Sequence, residues 1–166
     1  PSAPRPPVVR YERGRPGELL HVDIKKLGRF WEVGKRIRQD GVTRSPHAGW
    51  QYLHVAVDDH SRLAYAEVLP SERQEDAVAF LCRAVAWYRG QGVVVEAVLT
   101  DNGVAYRSHR WRAVCTARGL RHLRTRPYTP RTNGKAERFI QTLLRQWAYR
   151  YVYPSSAHRT RALSGW

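Results

Sequence analysis

Cysteine, methionine and long apolar runs are scarce or absent in this sequence of 166 residues. Its two cysteines, Cys82 and Cys115, show neither a CxxC pair nor the Cys/His spacing of a zinc site, and methionine is missing. These features argue against a disulfide framework and structural zinc, and they indicate a reducing environment. The amino-terminal residues lack the apolar core of a signal peptide, and no stretch approaches the roughly 18 apolar residues that cross a membrane. We expect a cytoplasmic protein without membrane contact.

Acidic residues are the other scarcity, above all in the last third of the chain. From Asn102 to Trp166 there are fourteen Lys and Arg residues and a single acid, Glu137. The whole chain has a formal net charge of +15, and an excess of this size attracts polyanions through the protein's field and through counterion release. Nucleic acid is therefore the leading candidate partner. A merely basic surface in an arginine-rich proteome is the alternative.

The first half of the chain is predicted to be an arm followed by strands. Residues 1–17 hold five prolines and four arginines, a composition that excludes a regular helix and predicts an extended arm or linker. Residues 18–26 alternate as in a strand, with Asp23 inside it. Residues 28–49 lack periodicity and predict a basic loop, either solvated or in contact with DNA. Two β-rich runs around Asp-Asp-His-Ser then predict a hairpin over 50–70.

Helices and strands alternate in the second half. An acidic first turn and apolar residues at helical spacing predict a helix over 71–89. The apolar run at 93–99 is typical of a strand buried on both faces. A shorter helix around Trp111, a strand near 121–126 and a long amphipathic helix from Asn133 complete the pattern. This order of elements predicts a layered α/β domain with a mixed sheet of five strands.

Glu137, the single acid of the last third, falls at the border of the apolar stripe of the last helix. From a border position a side chain can reach the sheet on which the helix packs. Its neighbours three and four positions away are not cationic, so an ion pair within the helix does not account for it. An acid in the first turns also suits the helix dipole, and this structural explanation stays open.

Acids in a strongly basic chain suggest metal binding. Carboxylates repel a bound polyanion unless a cation intervenes, and Mg²⁺ or Mn²⁺ prefers such hard oxygen ligands. Asp23 inside the first strand and Asp101 at the end of a buried strand are the candidates to join Glu137, because open α/β sheets place sites at strand ends. Each has a plainer explanation. Asp23 could pair with Lys25, and Asp101 could belong only to an Asp-Asn-Gly turn.

Three local motifs, in order, give the chain a family resemblance. The segments HVDIKKLG, LTDNG and PRTNGKAERFIQTLLRQW, with the DDHSR hairpin between the first two, resemble the catalytic core of retroviral-type integrases and bacterial insertion-sequence transposases. The hallmark of these DDE enzymes is Asp, Asp and Glu with a fixed spacing of 35 residues between the last two, the number that separates Asp101 from Glu137 here. The resemblance covers residues 18–166 and implies a catalytic core with a ribonuclease-H-like fold, a mixed five-stranded sheet flanked by helices.

The resemblance also implies an activity. It implies a polynucleotidyl transferase of DNA transposition, in which a metal-activated water cuts at a transposon end and the exposed 3′-hydroxyl attacks target DNA. Asp23, Asp101 and Glu137 would be the catalytic acids and the ligands of a pair of Mg²⁺ or Mn²⁺ ions. The partners would be DNA, both transposon ends and target, and at least one further copy of the chain. The enzyme would act at the bacterial nucleoid.

Basic and polar residues around Glu137 are the predicted DNA contacts. Arg131 and Asn133 lie in the turn before the helix, whose free N–H groups favour phosphate, and Lys135 is the best candidate. Arg138 fits a solvated helix face equally well. The preceding RPYTP segment resembles the mobile loop beside such sites, and its two prolines fit a stiff connector as well.

Asp58 and Asp59 are acids near a strand end that we assign to structure. Asp followed by Ser is typical of a hairpin cap, and the metal ligands of the family do not map there. Two further functions stay open, a ribonuclease-H-like metal nuclease without strand transfer and a non-catalytic, decayed or domesticated DNA-binding domain. Related transposases usually carry an amino-terminal helix-turn-helix region, and the sequence shows none, so we expect an excised fragment.

Overall fold

A mixed sheet of five strands organises the protein. The computed structural model describes residues 12–31, 49–125 and 133–166. The strands are β1 (Leu20–Arg29), β2 (Gly49–Asp58), β3 (Ala64–Leu69), β4 (Ala97–Thr100) and β5 (Arg121–Arg124). Their order across the sheet is β3-β2-β1-β4-β5, which confirms the predicted fold class.

β1 is the central strand and has both antiparallel and parallel neighbours. It runs antiparallel to β2 over its full length, with Asp23 opposite Val55. Its pairing with β4 is parallel and restricted to Leu20 and His21. β2 and β3 form the predicted hairpin, and β5 runs parallel to β4. Beyond His21, one edge of β1 is therefore not paired with β4, and Asp23 lies in that stretch.

Helices pack on the sheet close to where the sequence predicts them. They are α1 (Gln74–Gly90), α2 (Val104–Arg107), α3 (His109–Ala117), α4 (Gly134–Leu143), a π-helical turn (Leu144–Ala148) and α5 (Ser156–Leu163). The predicted helices correspond to α1, α3 and α4, whereas α2 and α5 are additional. The last predicted helix changes to the π-helical turn at Leu144. In that turn Trp147 is buried, and its Nε1 donates to the Arg159 carbonyl at 2.8 Å.

Side-chain parity on β1 decides which helix each residue faces. Leu20 belongs to the apolar core that contains Phe80 of α1. Leu27, of opposite parity, belongs to the core that contains Ile140 of α4. Because successive side chains of a strand point to opposite faces of the sheet, Asp23 lies on the α4 face.

The residues just before β4 contact the amino-terminal segment and do not join the sheet. β4 begins at Ala97, later than the predicted strand at 93–99. Gly17 has a φ of +87°, and a Cβ there would lie 2.1 Å from the Val94 carbonyl oxygen. The Glu96 N–H donates to the Gly17 carbonyl at 2.8 Å. Only glycine allows this approach, and the contact explains the late start of the strand.

Two predictions fall largely outside the described residues, the arm at 1–17 and the basic loop at 28–49. The described part of the arm lies against the hairpin, where the Arg13 N–H donates to the Asp59 carboxylate at 2.7 Å. The arm boundary and the role of the loop stay predictions. In the described ranges, no helix has the length and apolar character needed to cross a membrane.

Candidate active site

The three predicted acids lie on neighbouring elements of the fold. Asp23 is the fourth residue of β1, Asp101 directly follows β4, and Glu137 lies in the first turn of α4. β1 and β4 pair in parallel at His21 and Leu99. Continuing that register by two residues sets Asp23 beside Asp101. The predicted positions, inside a strand, after a strand and at a helix start, are therefore confirmed.

The pKa of Asp23 is affected by both of the other acids. Burial raises the pKa of its carboxyl from the ordinary value of 3.8 to about 6, against the lowering effect of the hydrogen bond from the Ile24 N–H. The negative charges of Asp101 and Glu137 contribute to this rise, while the charge of Lys25 opposes it and is the smallest of these influences. Asp23 is thus within electrostatic range of both other acids. Their repulsion is unfavourable unless a proton or a cation neutralises it.

The acids are close, but they do not enclose one shared metal position. In the described part of the chain, no three His, Cys, Asp or Glu side chains are near enough to hold an ion together. Asp23 Oδ1 accepts from the Ile24 N–H and Asp101 Oδ1 from the Gly103 N–H, each at 2.8 Å. Glu137 is exposed, and its side chain makes no hydrogen bond or ion pair within those ranges. Each acid keeps carboxylate oxygen unoccupied by a described donor, and this donor type suits Mg²⁺ or Mn²⁺.

The turn after β4 fixes the orientation of Asp101. Its carboxylate accepts from the Gly103 N–H, and a Cβ on Gly103 would lie 2.9 Å from the same oxygen. Asn102 Nδ2 donates to the Thr125 carbonyl at 2.9 Å, which ties the turn to the end of β5. The predicted Asp-Asn-Gly turn is therefore present. Because it uses one carboxylate oxygen, it is compatible with a ligand role for the other.

The backbone of Asp101 is held from the neighbouring strand. Thr100 Oγ1 donates to the Asp101 carbonyl and lies 2.9 Å from His122 Nε2. Since a hydroxyl has one proton to donate, His122 Nε2 is the donor to Thr100. Burial lowers the pKa of His122, and the charge of Arg124 lowers it further. A neutral ring on β5 thereby helps to fix the carboxyl end of β4.

A largely buried cluster of polar side chains joins α4 to β1 next to the acids. We call it the His21 cluster, composed of His21, Asp59, Asn133 and Lys135. His21 lies 2.7 Å from Asp59 Oδ1 through Nε2 and 3.1 Å from Asn133 Oδ1 through Nδ1. Lys135 Nζ lies 2.6 Å from Asp59 Oδ1 and 2.8 Å from the Asp59 carbonyl oxygen. Burial acts to raise the pKa of Asp59, but hydrogen bonds from Lys135, the Arg13 N–H and His21 lower it to about 2.

Sequence reasoning missed the His21 cluster. Asp58 is the hairpin cap that the sequence predicts, since its Oδ2 accepts from both the N–H and the hydroxyl of Ser61 at 2.7 Å. One aspartate suffices for that turn, so Asp59 needed a separate explanation. The available signal was His21, which has the same parity as Asp23 and therefore lies on the same face of β1.

The predicted DNA contacts occupy different environments. Asn133 is buried, with its amide engaged inside the His21 cluster. Lys135 is partly buried and paired with Asp59. Arg138 is exposed, whereas Arg131 and the whole RPYTP segment lie outside the described residues. Contact with DNA by these four residues stays a prediction.

The class of protein follows from the sheet. A mixed five-stranded sheet flanked by helices, with this strand order, is a ribonuclease-H-like fold. Two family models described as integrase core domain match the chain, one over residues 13–130 and the other over residues 118–166. The chain belongs to the integrase core domain family.

Relatives of the chain include a putative transposase and a Pol-related polyprotein. A putative transposase for insertion sequence element IS5376 from Geobacillus stearothermophilus is 30% identical over 146 residues, which make up 82% of this chain and 32% of the relative. The intracisternal A-particle Pol-related polyprotein of mouse intracisternal A-particle MIA14 is 33% identical over 94 residues, or 56% of this chain and 10% of the relative. The chain thus spans a minor part of these relatives.

Solved structures share the fold. The simian T-cell lymphotropic virus intasome in complex with PP2A regulatory subunit B56 gamma gives a TM-score of 0.71 at 24% identity, covering 98% of this chain and 52% of that one. The HTLV-2 integrase catalytic core domain in complex with magnesium gives a TM-score of 0.56 at 18% identity, covering 80% and 72%. At these identities the likeness concerns the fold alone.

Proposed function

We propose that the chain is the catalytic domain of a DDE transposase, which cleaves DNA at transposon ends and joins the freed 3′-hydroxyl to target DNA. The observation that carries the proposal is the electrostatic coupling of Asp23 to both Asp101 and Glu137 in a chain of net charge +15. Acids in so basic a protein would be expected to pair with its cations, whereas the charges of two other acids affect Asp23 more than that of Lys25 does. Membership of the integrase core family and the likeness to the IS5376 transposase support the same function.

Asp23, Asp101 and Glu137 would hold Mg²⁺ or Mn²⁺, with two ions in the active complex. When bound, such ions stabilise the attacking and leaving oxygens of a phosphodiester displacement. Asp23 gains from a cation, because its ionised form is disfavoured both by burial and by the other two acids. The turn at Gly103 orients Asp101, while α4 carries Glu137 toward β1. The HTLV-2 integrase core was solved in complex with magnesium, which supports this choice of ion.

DNA would bind through the positive charge of the chain, with little sequence preference. Arg138 is exposed directly after Glu137, and it is the described residue that we propose as a phosphate contact. Arg131 is proposed as a second contact. Lys135 and Asn133 are engaged by other groups of the protein, so their proposed contribution to DNA binding is indirect. Since two transposon ends are joined to one target, we propose at least a homodimer in the active complex.

The test uses full-length protein, a labelled duplex taken from the ends of the encoding element, and a plasmid target with Mn²⁺. Nicked and joined products are expected with the wild type and not with Asp101→Asn or Glu137→Gln. Glu67→Gln is the matched control, because Glu67 is an acid on β3 that is paired with Arg83 of α1, away from the site. Undiminished products from Asp101→Asn would reject the proposed role of the acids.

The same protein preparations separate the two alternative functions. Hydrolysis of an RNA–DNA hybrid, with no transfer into the second duplex, would identify a ribonuclease-H-like nuclease. Calorimetric titration with Mn²⁺ addresses the non-catalytic alternative. A catalytic domain should show binding that is lost in Glu137→Gln, whereas a pure DNA-binding domain should show no ion bound in a manner that depends on this residue.

A further inference from the structure

Asn133 precedes α4 but does not cap it. An asparagine at this position usually accepts a hydrogen bond from the N–H of the second or third helical residue. Here its side chain makes no cap bond. Its Nδ2 donates to the Val22 carbonyl at 3.3 Å, and its Oδ1 faces His21 Nδ1 at 3.1 Å. Val22 and His21 are the two residues before Asp23, so the start of α4 is tied to the strand segment that carries this acid.

A second connection joins the same helix turn to the hairpin. Lys135 Nζ contacts both the carboxylate and the backbone carbonyl of Asp59, at 2.6 and 2.8 Å. Asp59 in turn contacts His21 at 2.7 Å and accepts from the Arg13 N–H at 2.7 Å. Asp59, His21 and Asn133 are all at most 5% exposed. Residues from β1, the hairpin turn and α4 thus form one continuous buried network.

The donors and acceptors of the network match one another. With Asn133 Nδ2 donating to the Val22 carbonyl, its Oδ1 is an acceptor, and so is Asp59 Oδ1. Each ring nitrogen of His21 faces one of these acceptors, and the ring donates to at least one of them. Asp59 is a buried carboxylate whose acceptors are filled by His21, Lys135 and the Arg13 N–H. Buried polar networks that are satisfied in this way are rigid.

We propose that His21, Asp59, Asn133 and Lys135 are positioning residues that fix the first turn of α4, and with it Glu137, relative to Asp23. The inference rests on the proposed function only for its catalytic consequence. Among the described residues, no side chain of the cluster makes a hydrogen bond or ion pair with the side chains of Asp23, Asp101 or Glu137, so the cluster acts through the backbone. Such a link is needed because the three acids repel one another, which favours separation of the helix start from the strand. The apolar contacts of α4 with the sheet, through Ile140 and Leu143, lie one and two turns after Glu137.

The test compares Asp59→Asn, Lys135→Met and the double variant with Glu67→Gln in the full-length protein. Glu67 is a suitable control because this partly buried acid also forms an ion pair, with the exposed Arg83, between two other elements. The first readout is hydrogen exchange without metal at the amides of residues 136–139. Loss of the cluster should speed exchange there by about tenfold and leave α1 unchanged, since local opening is not shared by the whole fold.

The second readout is the affinity for Mn²⁺ measured by calorimetry. Residues that orient metal ligands typically change affinity by about 10- to 100-fold, and we expect a loss in this range for Asp59→Asn and Lys135→Met. Glu67→Gln should not lose affinity. The double variant should lose little more than either single change, because the two residues act as one unit.

Equal behaviour of the cluster variants and Glu67→Gln in both readouts would overturn the proposal. If Asp59→Asn does not fold, Lys135→Met carries the same test, because its partner keeps His21 and the Arg13 N–H. Glu137→Gln separates the two proposals. Wild-type Mn²⁺ affinity in Glu137→Gln would reject the proposed function, while the exchange measurement would still decide the role of the cluster.

Discussion

Asp59 and Asp23 flank the same end of the sheet and have opposite surroundings. Asp59 is 4% exposed, and the hydrogen bonds of Lys135, the Arg13 N–H and His21 outweigh burial and lower its pKa to about 2. The pKa of Asp23 is raised to about 6 by burial and by the charges of two further acids. One aspartate is stabilised as an anion and the other is strained as an anion. Structures keep such strain at functional sites, where a ligand can relieve it.

The largest effect is expected from a substitution among the acids that surround Asp23. Asp101→Asn removes one acid and leaves the turn at Gly103 able to form. We expect cleavage and joining to fall by about a thousandfold or more, since several kcal/mol of metal-dependent stabilisation of the transition state are lost. Initial rates at saturating Mn²⁺ measure this effect, with Glu67→Gln expected to match the wild type. Activity within tenfold of wild type would remove the distinction between the two kinds of acid.

Asp59→Ala tests the carboxylate that its surroundings stabilise. The change leaves Lys135 and His21 without their buried counterion, and we expect the free energy of unfolding at pH 7 to fall by about 3 kcal/mol. The contribution of Asp59 should be complete above pH 4 and be lost as the pH falls toward 2, because its folded pKa lies below its unfolded value. Urea unfolding across this pH range measures both effects. Unchanged stability would show that the ion pair contributes nothing net.

Asp23→Asn should raise the free energy of unfolding, the opposite of the effect expected for Asp59→Ala. A folded pKa of about 6 corresponds to a destabilisation of about 2 to 3 kcal/mol at neutral pH, which the neutral amide removes. In EDTA, the wild type should lose stability as the pH rises from about 4 to 6, because the folded state holds a proton that the unfolded state has released. The variant should not show this loss. A variant less stable than wild type at pH 7 would contradict the assigned strain.

Gly103→Ala is the smallest and most local change. The glycine has an ordinary negative φ of −55°, so the backbone tolerates alanine, but the new Cβ would lie 2.9 Å from Asp101 Oδ1. The carboxylate must shift, and we expect a loss of activity of about tenfold with little change in melting temperature. Gly28→Ala is the matched control, because a Cβ there meets no atom within 4 Å. Equal activity of the two variants would show that the orientation of Asp101 is unimportant.

Much of the fold could be predicted because its signals are local. The period of two places Asp23 inside β1, and the apolar run before Asp101 predicts the buried strand that became β4. The apolar period of the last helix places Glu137 in its first turns. Each of these patterns depends on residues within a few positions of one another, and the structure confirms all three positions.

The parts that could not be predicted depend on residues far apart in the chain. His21 and Asn133 are 112 positions apart, and Lys135 and Asp59 are 76 positions apart. The start of β4 depends on a contact with Gly17. No local pattern reports such contacts, so the sequence does not predict the pairing of Asp59 with His21 and Lys135.

The sequence by itself determined the basic charge, the order of strands and helices, and the places of Asp23, Asp101 and Glu137 along them. Only the tertiary structure decided which acids are paired and which are left facing other acids. The physical reason is that the ionisation of a carboxylate depends on burial and on charges and donors close in space. Those neighbours are brought together by folding from segments that have no relation in the sequence.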